Sequence, residues 1–251
     1  ASGLLQLGLH KGSDRFSVPG VITVDGQQYK DVESHGVEQL TLAGILNESS
    51  NVGMIMASDK LSTANRYDYL KKFGIGQSTG INYPGISSGS LPTPDKWGIR
   101  TNQTVLFGQG YTVNALQLSN IVATLANGGV RVGQSIIDKS TDKDGKDTTP
   151  RPVDSTRVVS PSVASDMMDM MESVMTEEYG RVIKVDGYRL AGKTGTAEVS
   201  GGGRALTKTV GDTSVVIPAD SPRFVITVMY MNPSSHGGIA TGPVINKPPL
   251  R

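Results

Sequence analysis

The sequence contains no cysteine among its 251 residues. Disulfide bonds, thiolate metal sites and a cysteine nucleophile are therefore excluded. Histidine is scarce as well, and the three histidines lie far apart, without the spacing of a metal-ligand set: His10, His35 and His236. A metal site is not expected in this chain.

The chain also has no marked excess of charge of either sign. The net charge is +1 at pH 7, and the basic residues do not cluster with the aromatic residues, which make up 5% of the chain. The sequence therefore gives no indication of nucleic-acid binding. No apolar run approaches the length of a membrane span, and the first residues are not typical of a signal peptide. A hydrophobic content of 37% is ordinary for a folded domain.

Hydrophobic periodicity predicts strands toward both ends of the chain and helices in its middle. Residues 19–30 alternate around Asp25-Gly26, a favoured two-residue hairpin turn, and apolar runs at 213–217 and 223–231 predict a second, buried hairpin. Helices are predicted after three N-cap candidates, Thr41, Thr112 and Ser160. The pattern indicates a sheet covered by helices, with a helical lobe beside it.

The segment RLAGKTGTAEV, residues 189–199, places a lysine, two threonines and two glycines inside an otherwise strand-like run. In a strand, alternation puts Lys193, Gly195 and Ala197 on one face and Thr194, Thr196 and Glu198 on the other. A phosphate loop is not expected, because that motif needs a further glycine ahead of the Gly-Lys pair and Val185 is assigned to that position. The residues alone leave two interpretations, an edge strand protected by a lysine or a strand that lines a ligand site.

A second polar cluster, Ser49-Ser50-Asn51, separates two helical segments. Serine and asparagine side chains compete with the hydrogen bonds of a helix, so that they suit helix ends and N-caps. A serine that caps the second helix would explain these residues without any chemistry. A role in chemistry is the alternative interpretation.

Ser49-x-Asn51 followed by Lys193-Thr194-Gly195 resembles two of the three signatures of the penicillin-interacting serine enzymes. The segments ILNESSNVGM, FGQGYTVNALQLSNIVATLANGG and GYRLAGKTGTAEV each resemble the class B penicillin-binding proteins, which are the peptidoglycan transpeptidases of elongation and division. The resemblance extends from about Val18 to Gly242, and VPGVITVDGQQ is most similar to the division-septum type.

The resemblance implies an α/β (α+β) fold of the serine β-lactamase/transpeptidase type over residues 1–251, with a central five-stranded antiparallel sheet flanked by helices and a helical subdomain. It implies a D,D-transpeptidase that acylates a serine with a D-Ala-D-Ala stem peptide and passes the acyl group to an amine of a second stem peptide. β-Lactam antibiotics are expected ligands, division or elongation membrane proteins are expected partners, and no cofactor is expected. The expected location is the extracytoplasmic face of the bacterial membrane, with the anchor helix outside this chain.

The resemblance also assigns roles to six residues of the two motifs, namely Ser49, Asn51, Lys193, Thr194, Gly195 and Thr196. Ser49 would pass a proton toward the leaving group, and Asn51 would orient the acyl side of the substrate. Lys193 would supply a positive potential near Ser49 and near the substrate carboxylate. The two threonines would hydrogen-bond that carboxylate, the backbone N–H of Thr196 would form half of an oxyanion hole, and Gly195 would give the substrate close access.

One signature of the family is missing. Its first motif, Ser-x-x-Lys at the start of a buried helix, should precede Ser49, but the only match is Ser140 to Lys143, in a polar stretch at 138–152. We reject Ser140 as the nucleophile, because packing must hold a catalytic pair rigidly. The initial ASGLLQLGL is typical of the end of an apolar helix. We therefore expect the nucleophile upstream of Ala1, and this chain by itself to be inactive.

Two other functions share these motifs. A serine β-lactamase would need a deacylating glutamate in a Glu-x-x-Leu-Asn context, which the sequence does not contain. A non-catalytic β-lactam-binding or scaffold domain of the same fold stays open, because the binding groups are present and the nucleophile is not. Hydrolysis of penicillins would identify the first function, and a failure of acylation would identify the second.

Overall fold

The computed structural model describes residues 1–81, 83–150, 155–201 and 204–246, with the backbone alone at 199–201 and 204–208. Its α-helices are α1 Ser2–Gln6, α2 Leu42–Asn47, α3 Asn51–Ala57, α4 Thr63–Lys72, α5 Ile99–Thr104, α6 Ala115–Ala126, α7 Pro161–Ser173 and α8 Gly237–Ile245. Its strands are β1 Arg15–Val18, β2 Val21–Val24, β3 Gln27–Lys30, β4 Glu38–Thr41, β5 Val130–Val132, β6 Ser155–Arg157, β7 Ala191–Gly201, β8 Arg204–Ile217 and β9 Phe224–Met231. Within these described ranges, no helix has the length and apolar character needed to cross a bilayer.

The central sheet is antiparallel, and its strand order is β7-β8-β9. The predicted hairpin of two apolar strands near the C-terminus is confirmed, although β8 begins already at Arg204. β7, which carries the lysine-threonine-glycine motif, pairs with β8 along most of its length. The motif therefore lies on an outer strand of this sheet.

The described residues supply three strands of the central sheet, so the expectation of five strands is not confirmed. The predicted hairpin around Asp25-Gly26 is confirmed, but its strands β2 and β3 pair only with each other. β1 pairs with β4 in another two-stranded sheet that contacts α2 and α3. The N-terminal strands thus use their hydrogen bonds among themselves and do not extend the central sheet.

Each face of the central sheet covers a separate apolar core. One core, which includes Leu42 and Val216, lies between the sheet and helices α2, α3, α6 and α7. The other, which includes Val215 and Ile245, lies under α8 and the π-helical turn Val174–Glu178 that follows α7. Val215 and Val216 are consecutive in β8 and point into different cores, as the alternation of side chains along a strand requires.

Helix α6 begins later than the cap prediction. Asn114 is its N-cap, in a capping box where the Asn114 side chain accepts from the Gln117 N–H and the Gln117 side chain accepts from the Asn114 N–H. Thr112 exchanges two backbone hydrogen bonds with Ser90, so that it is held in an extended bridge. The prediction that Thr112 caps the helix was wrong for this reason.

Replacing Asn114 with alanine should lower the free energy of unfolding by about 1 kcal/mol, because the first turn of α6 loses its acceptor. The matched change Thr112→Ala should stay within about 0.5 kcal/mol of the parent, since its side chain does not cap the helix. Urea unfolding of both variants measures the difference. A larger loss for Thr112→Ala than for Asn114→Ala would contradict the assignment.

Candidate active site

The break between α2 and α3 places two serines in different environments. Ser50 is buried and caps α3, because its Oγ accepts from the backbone N–H of Gly53 at 2.8 Å. This confirms the capping interpretation for Ser50. Ser49 is exposed and has a φ of 54°, in the left-handed region that serine rarely adopts. A non-glycine residue held in this conformation is a feature that often accompanies function.

The buried carboxylate of Asp31 holds the break between α2 and α3 in place through two hydrogen bonds. Its Oδ2 accepts from the Ser50 hydroxyl at 2.7 Å, and its Oδ1 accepts from the Val52 N–H at 2.9 Å. His35 Nε2 lies 3.0 Å from the same carboxylate, and this hydrogen bond raises the pKa of His35. The Asp31 carboxylate therefore links the N-cap Ser50 to the first turn of α3. Ser49 and Asn51 are the residues on either side of this N-cap.

Lys193 on β7 brings the second motif to the first. Its Nζ donates to Ser49 Oγ and, at 3.2 Å, to the Thr194 carbonyl oxygen. Burial lowers the pKa of Lys193 to about 8, and the nearby carboxylates of Asp212 and Glu178 oppose this shift. The ammonium of this half-buried lysine lies directly beside an exposed hydroxyl.

The opposite face of β7 carries the two threonines. Thr194 Oγ1 donates to the Tyr179 hydroxyl at 2.9 Å, and Thr196 Oγ1 accepts from the N–H of Gly237, the first residue of α8, at 3.0 Å. A Cβ on Gly237 would overlap the carbonyl oxygen of Gly195, so the start of α8 approaches the strand closely. The predicted division of the motif into two faces is confirmed.

Not every residue of the motifs joins this contact. Asn51 donates its side-chain N–H to the Lys30 carbonyl oxygen at 3.2 Å, and in the described part of the chain it forms no hydrogen bond with Ser49 or Lys193. Ser140 bonds to Thr148 and Thr149 within its own polar loop. The structure thus unites Ser49 with Lys193 and leaves Asn51 turned toward β3.

The residues GYRLAGKT, 187–194, match the spacing of a phosphate loop, a glycine, four residues, then Gly-Lys-Thr. That motif needs a loop between a strand and a helix, whereas the structure places Lys193 within β7 and a further strand after it. The lysine also faces Ser49. The assignment of Val185 to the position of the first glycine was wrong, because Gly187 stands there and the spacing matches. The match is coincidental, and the fold rather than the sequence pattern excludes a phosphate site here.

Three residues of this region were not found from the sequence. Asp31 and Tyr179 stand in no recognisable local pattern, and their contacts reach across the fold. The sequence does contain an indication of Asp212, because a carboxylate directly before the apolar strand residues TSVVI is unusual. Burial raises the pKa of Asp212 to about 6, while the Lys193 ammonium opposes this rise.

A sequence model of the family described as "Penicillin binding protein transpeptidase domain" matches residues 1–248. The chain belongs to this family. The transpeptidase domain is 36% identical to the penicillin-binding protein PbpB of Mycobacterium tuberculosis, over 96% of the chain and 37% of the relative. It is 34% identical to the peptidoglycan D,D-transpeptidase FtsI of Escherichia coli, over 88% of the chain and 36% of the relative. The domain therefore spans less than two fifths of either relative's length, and the resemblance to class B penicillin-binding proteins is confirmed.

Solved structures show the same fold. A peptidoglycan synthetase from Bifidobacterium adolescentis is 53% identical, with a TM-score of 0.91, over 98% of the transpeptidase domain and 45% of that chain. Penicillin-binding protein 3 of Mycobacterium tuberculosis, complexed with aztreonam, is 35% identical, with a TM-score of 0.89, over 98% of the domain and 58% of that chain. The arrangement of helices and antiparallel strands is that of the transpeptidase domains.

Asp31→Asn should lower the free energy of unfolding by about 1–3 kcal/mol, because one of its two acceptor oxygens is replaced by a donor that faces Ser50 or Val52. The exposed Asp59, in the turn after α3, supplies the control Asp59→Asn, which should stay within about 0.5 kcal/mol. Chemical denaturation of both variants tests this difference. Equal stabilities would show that the Asp31 carboxylate does not fix the break.

Proposed function

We propose that the domain carries out acyl transfer as part of a peptidoglycan D,D-transpeptidase. The single observation that carries the proposal is the contact between Lys193 and Ser49, two motif residues that the fold brings together from distant parts of the sequence. An ammonium in a partly dry cleft stabilises developing negative charge better than one in water. A hydroxyl that both donates and accepts can relay a proton beside it.

The remaining groups fit a substrate that lies along β7. Thr196 Oγ1 accepts from Gly237, so its own O–H proton is free to donate to a substrate carboxylate. Thr194 shares its hydroxyl with Tyr179, which would hold it in position for the same carboxylate. The Thr196 N–H would provide half of an oxyanion hole, and Gly195 would let the substrate approach the backbone. Asn51 would have to leave the Lys30 carbonyl to orient the acyl side.

The acyl group in this reaction would be the stem peptide, joined through the carbonyl carbon of its penultimate D-alanine, and its carrier would be a serine. That serine would attack the carbonyl carbon of the terminal D-Ala-D-Ala bond and expel D-alanine, which takes up the proton relayed by Ser49. An amine of a second stem peptide would then attack the ester carbonyl carbon, form the amide bond of the cross-link and release the serine, whose oxygen takes up the proton that the amine loses. β-Lactams would acylate the same serine, a proposal supported by the solved complexes of Mycobacterium tuberculosis penicillin-binding protein 3 with aztreonam and ampicillin.

The setting proposed for this activity is the division septum, on the extracytoplasmic face of the membrane, with division or elongation membrane proteins as partners. Support comes from the similarity to FtsI of Escherichia coli and to PbpB of Mycobacterium tuberculosis. We also propose that the three-stranded sheet belongs to a five-stranded one, as the resemblance implies.

Incubation with benzylpenicillin should add one penicilloyl group to the protein as its native gene encodes it, visible in the denaturing intact mass. Peptide mapping would then identify the acylated serine. Lys193→Ala should lower the rate of acylation by about a hundredfold or more, because the positive wall of the cleft is lost. Lys184→Ala, which removes an exposed lysine paired with Asp186, is the matched control and should acylate at the parent rate.

The other functions give different results in the same experiment. Rapid turnover of benzylpenicillin without a lasting adduct would identify a β-lactamase. Absence of an adduct on the natively encoded protein would overturn the transpeptidase proposal and leave a non-catalytic binding domain. Unchanged acylation in Lys193→Ala would remove the role given to Lys193.

A further inference from the structure

Asp212 lies next to the proposed cleft, on β8, the strand that pairs with β7. It is the cross-strand partner of Gly195, while Lys193 is paired with Ser214. Directly paired residues share one face of an antiparallel sheet, so Asp212 and Lys193 are diagonal neighbours on the same face. A Cβ on Gly195 would lie 2.5 Å from Asp212 Oδ2. The carboxylate therefore occupies the space that a side chain on the motif glycine would need.

Among the side chains that the structure describes, few charged groups act on Asp212. Lys193 is the charged group that acts on Asp212, and Tyr111 lies close enough for Asp212 to affect its titration. Burial raises the pKa of Tyr111 to about 12, so this phenol stays neutral at physiological pH. On the side of Lys193, the other carboxylate is Glu178. Within the described ranges, the Asp212 carboxylate has no hydrogen-bond partner, so its main electrostatic interaction is with the lysine.

We infer that Asp212 is a positioning residue that acts through Lys193. It sets the net charge of the cleft wall, which is the face of β7 and β8 that carries Lys193 and Asp212 and that faces an acyl donor's carboxylate. This inference rests on the proposed transpeptidase function. When Asp212 is ionised, it keeps Lys193 protonated but cancels much of the positive potential along β7. When Asp212 is neutral, the wall presents the full positive charge of Lys193. An ionised Asp212 thus favours the protonated form of Lys193 but weakens the attraction of the cleft wall for anionic acyl donors.

The direction of each effect follows from the two groups. Below about pH 6 Asp212 takes up a proton, and the wall becomes net positive. Above about pH 8 Lys193 loses its proton, and the wall becomes net negative. Between these limits both groups are ionised, so that the negative charge of Asp212 opposes the positive charge of Lys193. The charge of the cleft wall therefore changes between about pH 6 and about pH 8.

The first test measures Lys193 itself, by nitrogen NMR of the side chain in protein with isotopically labelled lysine, with the signal assigned through Lys193→Arg. In Asp212→Asn the titration midpoint of Lys193 should move to a pH about one unit lower, because the opposite charge is gone. Asp212→Ser, which removes the charge with a smaller side chain, should give the same shift. Asp220→Asn, in the exposed turn after β8, is the control and should leave the midpoint in place.

The second test compares acylation by benzylpenicillin, whose carboxylate is ionised throughout, from pH 5 to pH 9. The ratio of the Asp212→Asn rate to the parent rate should be near one at the acid end, rise to about fivefold between about pH 6 and pH 7, and fall again at higher pH, where Lys193 of the variant loses its proton. The ratio cancels the titration of groups common to both proteins. Asp220→Asn should give a ratio near one at every pH.

The two tests separate the inference from the proposed function. An unchanged Lys193 midpoint in both Asp212 variants, or a rate ratio that does not vary with pH, overturns the inference and leaves the transpeptidase proposal intact. If benzylpenicillin acylates none of the proteins, the proposed function fails, and the role of Asp212 in binding donors fails with it. A shifted midpoint together with a rate ratio that is highest between about pH 6 and pH 7 supports both.

Discussion

The pairing of β7 with β8 is the constraint on which the proposed site depends. Its register turns Lys193 toward Ser49 and turns Thr194 to the other face of the sheet. A slip of one residue would exchange these faces, because side chains alternate along a strand. Val215 and Val216 are fully buried in the two different cores, so that such a slip would expose apolar surface on both sides. The packing of the sheet thus holds the chemistry in place.

Patterns confined to a few residues predicted much of the fold. The caps at Thr41 and Ser160 and the turn at Asp25-Gly26 are as expected, since a cap or a two-residue turn is decided within one turn of the chain. Thr112 was mistaken for a cap because a distant partner, Ser90, holds its backbone. The five-stranded sheet was an expectation from resemblance, and strand pairing of this kind is not encoded in any short segment.

The motifs of the candidate site were recognisable, whereas their supports were not. Ser49 and Lys193 stand in signatures with fixed spacing. Asp31 is a single carboxylate whose importance appears only when the fold brings Ser50 and Val52 to it. The orientation of Asn51 toward Lys30 likewise depends on a neighbouring strand. A sequence can therefore indicate which groups take part, while burial and hydrogen bonding, which set their charge and direction, require the three-dimensional structure.

The contact between Ser49 and Lys193 joins positions 144 residues apart. Contacts between such distant positions are entropically costly to form early, and a chain that depends on them folds slowly compared with one built from local contacts. The caps of the two helices that flank Ser49 and the hydrogen bonds of Asp31 do not involve β7. A partly folded chain would then hold both motifs and still lack the pocket between them. Appearance of the site would in that case report the end of folding, later than the appearance of helical structure.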